Sequence, residues 1–131
     1  MLDEQLYYQP TTHPGAYLPH VWLVHGSKQV STLDLIPADT WTVITGHDGQ
    51  AWLKAAEKLS KELNFPIAAV MIGLGLPYAD AYGDWAKVRE ITDGGCLLVR
   101  PDKHIALRVK DLTADPLADL RSAFARILRP A

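Results

Sequence analysis

Cysteine occurs once, at Cys96. One thiol cannot close an internal disulfide, and such scarcity suits a reducing compartment. Long apolar runs are also missing. The longest, Ile67 to Leu76, is too short to cross a bilayer and contains two glycines. Neither sign of charge is in excess: a net charge of −2 and a pI near 6.2 leave no electrostatic footprint for nucleic acid or anionic lipid. The first residues, Met1-Leu2-Asp3-Glu4-Gln5, are acidic and lack the basic and apolar regions of a signal peptide. The expectation is a cytoplasmic chain with neither nucleic acid nor membrane as partner. What is present suffices for a core: 131 residues, 48% of them hydrophobic, can fold as one domain without disulfides or metal.

The usual chemical signatures are absent as well. No C-x-x-C and no P-loop occur. Gly73-Leu74-Gly75 follows an apolar run, but Tyr78 stands where a dinucleotide fingerprint needs its third glycine. None of the five histidines, His13, His20, His25, His47 and His104, shows H-x-H or H-E-x-x-H spacing. His25-Gly26-Ser27 lacks the nucleophile elbow of serine hydrolases. No cofactor or metal is therefore expected on this chain.

Residues 1–19 read as an extended approach segment, punctuated by Pro10, Pro14 and Pro19 and anchored by Tyr7, Tyr8 and Tyr17. Residues 20–131 read as a single domain. Val21 to Val24 and Val30 to Leu35, joined around Gly26, predict a hairpin. Trp41 to Thr45 is β-branched and aromatic, hence a strand. Asp48 offers an N-cap for a helix from Gln50 to Leu63, where Trp52, Ala55, Ala56, Leu59 and Leu63 share one face. Asn64 and Phe65-Pro66 stop it. Ile67 to Ile72 is apolar throughout, as a central parallel strand should be.

A short helix from Asp84 to about Arg89 is predicted, then two strands, Cys96 to Arg100 and His104 to Arg108, turning at Pro101-Asp102. Asp115-Pro116 opens a last helix whose buried face is Leu117, Leu120, Phe124, Ile127 and Leu128. A βαβ unit followed by a ββα unit is the thioredoxin plan: an α/β, thioredoxin-like fold with an N-terminal extension and hairpin, lacking the redox cysteines.

Arg100 should be partly buried at its strand end and needs a carboxylate, Asp34 or Asp102, as a staple. A ligand-binding role for Arg100, Asp102 and Arg108 is the competing reading.

With these residues in view, the chain resembles the C-terminal thioredoxin-like domain of FAD-dependent aromatic-ring hydroxylases, the phenol hydroxylase type of flavoprotein monooxygenase. The resemblance rests on Pro14 to Leu23 (with Pro19, His20 and Trp22), Ser31-Thr32-Leu33-Asp34-Leu35, Trp52 with Ala55-Ala56, Gly94 to Asp102 (with Arg100 and Pro101), and Ile105 to Arg108. It departs at Tyr17, where arginine is usual, at Ile36-Pro37 for Phe-Gly, at Lys103 for a turn glycine, and at Leu107 for tryptophan.

The resemblance implies that flavin and substrate belong to a separate region, and that this module serves stability, docking or dimerisation. Its partner would be a flavin-binding domain or subunit, or a second copy of itself. The alternative is a free-standing protein binding or transforming an aromatic or polyketide-like ligand, with His20, His25, Asp34, Tyr82, Arg100 and His104 as its polar groups.

Overall fold

The computed structural model describes residues 12–73, 75–81 and 83–127. Tyr7, Tyr8, Tyr82 and Leu128, each given a part by the sequence, lie outside the described residues. Strands β1 (Trp22–His25) and β2 (Lys28–Ser31) form an antiparallel hairpin that pairs Trp22 with Ser31 and His25 with Lys28. Gly26 takes φ +65° in the two-residue turn, where a side chain would be strained.

The second strand is shorter than expected. Thr32–Leu35 is a 3-10 turn because Ser31 and Asp34 make a reciprocal capping box. The Ser31 hydroxyl accepts the Leu33 N–H at 3.1 Å, and the Asp34 carboxylate accepts the Ser31 N–H at 3.0 Å.

β3 (Trp41–Thr45), α1 (Gln50–Leu63) and β4 (Ile67–Met71) form the βαβ unit, β3 and β4 being parallel. Asn64 ends α1 in the left-handed region, φ 59°, its N–H donating to Ser60 O. The start of the helix differs from expectation. Gly49, not Asp48, is the N-cap, and no side chain caps the helix. Asp48 instead donates its N–H to Asp93 O at 3.0 Å, and a Cβ on Gly49 would lie 1.8 Å from Thr45 Oγ1. The Asp48–Asp93 bond holds the loop against the 92–95 segment, while the lack of a side chain at Gly49 lets the helix start pack on Thr45.

After α2 (Asp84–Val88), β5 (Cys96–Val99) and β6 (Ile105–Val109) pair antiparallel, and α3 (Pro116–Ile127) closes the fold. Asp115 Oδ1 accepts the Ala118 N–H at 3.1 Å, so the Asp-Pro start works as a cap.

The main sheet runs β4-β3-β5-β6, and the hairpin is a second, two-stranded sheet. β4 is thus an edge strand of this sheet and not central. Its residues from Ala68 to Met71 are only half-buried, whereas every residue of β5 is buried. An apolar run alone could not separate those positions. Alternation along β5 sends Cys96 and Leu98 to one face, Leu97 and Val99 to the other. The first face packs with Trp52, Leu59, Leu120 and Phe124 of α1 and α3. The second packs with Leu18, Leu23, Leu35 and Trp85 of the N-terminal segment, hairpin, 3-10 turn and α2. The result is a small mixed α/β domain with one sheet covered on both faces.

Gly95 has a steric reason. A Cβ there would sit 2.2 Å from Lys110 O and 2.4 Å from Val109 O, backbone atoms that cannot step aside. The Gly94-Gly95 pair lets the end of β6 close onto the start of β5.

Candidate functional site

The motif residues are gathered into separate knots. In the first, Thr32 Oγ1 donates to Pro19 O at 2.6 Å and accepts the Val21 N–H at 3.1 Å. His20 Nδ1 lies 2.6 Å from Ser31 Oγ, and the His20 ring meets Trp22 edge-on at 4.6 Å. Pro19, His20, Trp22, Ser31 and Asp34 therefore form one network that lashes the incoming segment to the hairpin. His25 stands apart, its Nδ1 2.8 Å from Pro77 O and its ring stacked on Tyr78 at 4.5 Å.

The second knot is the turn at Pro101-Asp102. Lys103 N–H donates to Arg100 O at 2.8 Å, and His104 N–H donates to Asp102 Oδ1 at 3.1 Å. The Arg100 guanidinium lies 2.8 Å from Asp102 Oδ2, and His104 Nδ1 lies 3.2 Å from Oδ1. Burial pushes the Asp102 carboxyl upward, but the His104 N–H, the His104 ring and the Arg100 charge together hold it below its ordinary value. Tyr17 sits edge-on to His104 at 5.2 Å.

Of the two carboxylates considered for Arg100, Asp102 is the partner; Asp34 is engaged by Ser31. The expected burial of Arg100 is not found, since its side chain is 52% exposed. It leaves the sheet at the strand end and reaches solvent. The pair is a surface one, worth about 0.2–1 kcal/mol and not the cost of a buried ion pair.

A third knot was not legible in the sequence. Glu90, at φ +58°, accepts the Thr12 N–H at 2.6 Å and lies 3.2 Å from Arg108 Nη1. Thr12 Oγ1 donates to Arg89 O at 2.6 Å. Arg108 thus helps fix the place where the chain comes in, far in sequence from its partner. Asp80 was missed too. Its buried carboxylate accepts the Trp85 and Ala86 N–H groups at 3.0 and 2.9 Å, seating α2.

An open depression of about 770 Å³ lies beside the start of α1, lined by His47, Asp48, Gln50, Thr92 and Asp111 among others. None of His20, His25, Asp34, Arg100 or His104 lines it. The Cys96 thiol is buried, and burial, with Asp119 adding a little, pushes its pKa far up, so no thiolate nucleophile is available. Among the described residues, no group of three or more His, Cys, Asp or Glu side chains could hold a metal ion. No described helix is long and apolar enough to cross a membrane. The hydrogen bonds of the motif residues fix backbone and turns; the one hydroxyl–imidazole pair among them, Ser31 with His20, has its hydroxyl engaged by the Leu33 N–H in the capping box and lies away from the depression.

The architecture and motifs have counterparts among known proteins. The chain is 44% identical to phenol 2-monooxygenase of a Pseudomonas species over 87% of its own length and 19% of that protein's. It is also 44% identical to 2,4-dichlorophenol 6-monooxygenase of Cupriavidus pinatubonensis, over 96% of this chain and 21% of that one. The crystal structure of the flavin-dependent monooxygenase PieE, in complex with FAD and substrate, matches with a TM-score of 0.86 at 40% identity, covering 96% of this chain and 21% of that one. The chain therefore spans about a fifth of the relatives it matches. Residues 11–131 match the family described as aromatic-ring hydroxylase, C-terminal, and with those relatives this places the chain in the C-terminal domain family of the aromatic-ring hydroxylases.

Proposed function

We propose that this chain is a non-catalytic, thioredoxin-like module of an FAD-dependent aromatic hydroxylase, or derived from one, acting in stability and docking in the cytoplasm. One observation carries the reading: the polar residues of its motifs are spent on holding the fold. His20, Ser31 and Asp34 fix the hairpin, and Asp102 fixes the last turn by accepting the His104 N–H and pairing with Arg100. A group whose hydrogen bonds are satisfied within the backbone frame is poorly placed to handle a substrate. The order β-α-β then β-β-α, with sheet order β4-β3-β5-β6, supports the thioredoxin-like assignment.

In this reading residues 20–131 are the domain and the preceding segment is its lead-in. FAD and the aromatic substrate sit on a separate flavin-binding region, the module's docking partner. Self-association as a homodimer is the second form of assembly, and sedimentation of the pure chain reads it directly.

The experiment is replacement. The last fifth of phenol 2-monooxygenase is exchanged for this chain. A fused protein that retains flavin and hydroxylates phenol is the expected result; one that loses flavin while the parent keeps it would contradict the reading.

A further inference from the structure

We infer that the exposed aromatic row Tyr17, His20 and Trp22 is the surface on which the flavin-binding region docks. The inference rests on the reading above and names the place on this chain where that partner lies.

The local pattern comes first. From Tyr17 to Leu23, Leu18, Val21 and Leu23 are buried, while Tyr17, His20 and Trp22 point outward. Tyr17 is 47% exposed and Trp22 46%, a large apolar area to leave in water on a segment otherwise locked in place. The lock is tight on both sides. Gly15 N–H donates to Ile105 O, Ile105 N–H to Ala16 O and Leu18 N–H to Lys103 O, each at 2.8 Å. Each exposed aromatic is steadied by a histidine: Tyr17 meets His104 and Trp22 meets His20, both edge-on at 85°. Aromatic side chains held rigid before association lose little entropy on docking, as strong interface anchors require.

The occupant follows from where the rest of the polypeptide lies. The relatives are about five times longer, and this chain corresponds to their C-terminal domain. The greater part of those proteins precedes the segment that comes in at Thr12. Thr12 is fixed by Glu90 and Arg89, and the segment then runs along the β5–β6 turn and the first residue of β6 before reaching Trp22. The aromatic row lies on that path, five to ten residues beyond Thr12, within reach of a preceding region tethered there. Among the described residues the other exposed large apolar side chains are Leu112, beside the depression at the start of α1, and Ile127, which shares a groove with Pro14 of the incoming segment but is less exposed, at 37%.

The test is oxidative footprinting with mass spectrometry. The isolated chain is compared with the chain fused in place of the last fifth of phenol 2-monooxygenase, flavin absorbance confirming that the fused protein is loaded. The expected result is a several-fold loss of oxidation at Trp22 and Tyr17 on fusion, with Leu112 and Ile127 unchanged. Trp22→Ser and Tyr17→Ser should leave the isolated chain folded and melting cooperatively, at a slightly lower temperature for the lost ring contacts with His20 and His104, yet restore oxidation of neighbouring positions in the fused protein.

Protection of Leu112 or Ile127 with Trp22 still reactive would overturn the surface and leave the functional reading standing. A fused protein without flavin, or with no position protected, would overturn both. Protection of Trp22 in the isolated chain that grows with concentration would assign the row to a second copy and overturn the inference.

Discussion

His20 and Ser31 meet at 2.6 Å across the base of the first hairpin, and the same serine hydroxyl accepts the Leu33 N–H. One hydroxyl thus joins the incoming segment, the end of β2 and the 3-10 turn. Ser31→Ala should lose both the cap, about 0.5–2 kcal/mol, and the His20 anchor, for a total of roughly 1–3 kcal/mol. Urea denaturation of the pure chain checks this; an unchanged midpoint would mean the network is ornamental.

Lys103 occupies φ +71° in the β5–β6 turn, a left-handed conformation that suits glycine. The side chain there costs about 1–2 kcal/mol, part of which glycine gives back through its freer unfolded state. Lys103→Gly should therefore stabilise the chain by roughly 0.5–1 kcal/mol. Thermal unfolding measures it, and a lower melting temperature would contradict it.

The sequence made some of this legible because the signals were local. Five apolar positions on one face and Asn64 at the end defined α1, and Pro101-Asp102 marked the last turn. Two of the misses, at Asp48 and at Glu90, have their cause in contacts distant along the chain; the others turn on local competition between strand and cap. Asp48 lost its capping role to a close approach between Gly49 and Thr45 and to a bond with Asp93, neither visible along the chain. Val30 to Leu35 looked like strand, while a capping box between Ser31 and Asp34 turned Thr32–Leu35 into a 3-10 turn. Alternation put Arg100 on a defined face but could not say that the strand ended before it. The knot joining Thr12, Glu90 and Arg108 spans most of the chain, and nothing in any one segment announces it.

Arg121 clamps Glu62 with two bonds of 2.8 Å, tying α3 to α1. The Arg121 hydrogen bond, helped by its charge and that of Lys58, holds the Glu62 carboxyl below its ordinary value of 4.5. A carboxyl depressed on folding adds stability that is complete above its ordinary value and is lost as pH falls through the depressed one. Glu62→Gln should therefore be less stable than the parent at neutral pH, with the gap closing below about pH 4.5. Denaturant midpoints at a series of pH values read the gap; one that persists at the acid end would contradict the assignment.

Cys96 is fully buried between β5 and the two long helices. Alkylation needs the thiolate, which burial disfavours, and access, which only opening can give. Labelling of the native chain should be slow and should accelerate with urea along the unfolding curve. Rapid stoichiometric labelling in buffer would show that this part of the core is not as described.

The central claim, that this chain holds and docks while flavin chemistry belongs to a partner region, is tested most directly by titrating the pure chain with FAD. Calorimetry and flavin fluorescence, with and without phenol, should show no saturable binding and no flavin carried through gel filtration. Stoichiometric flavin retained by the chain alone would contradict the account.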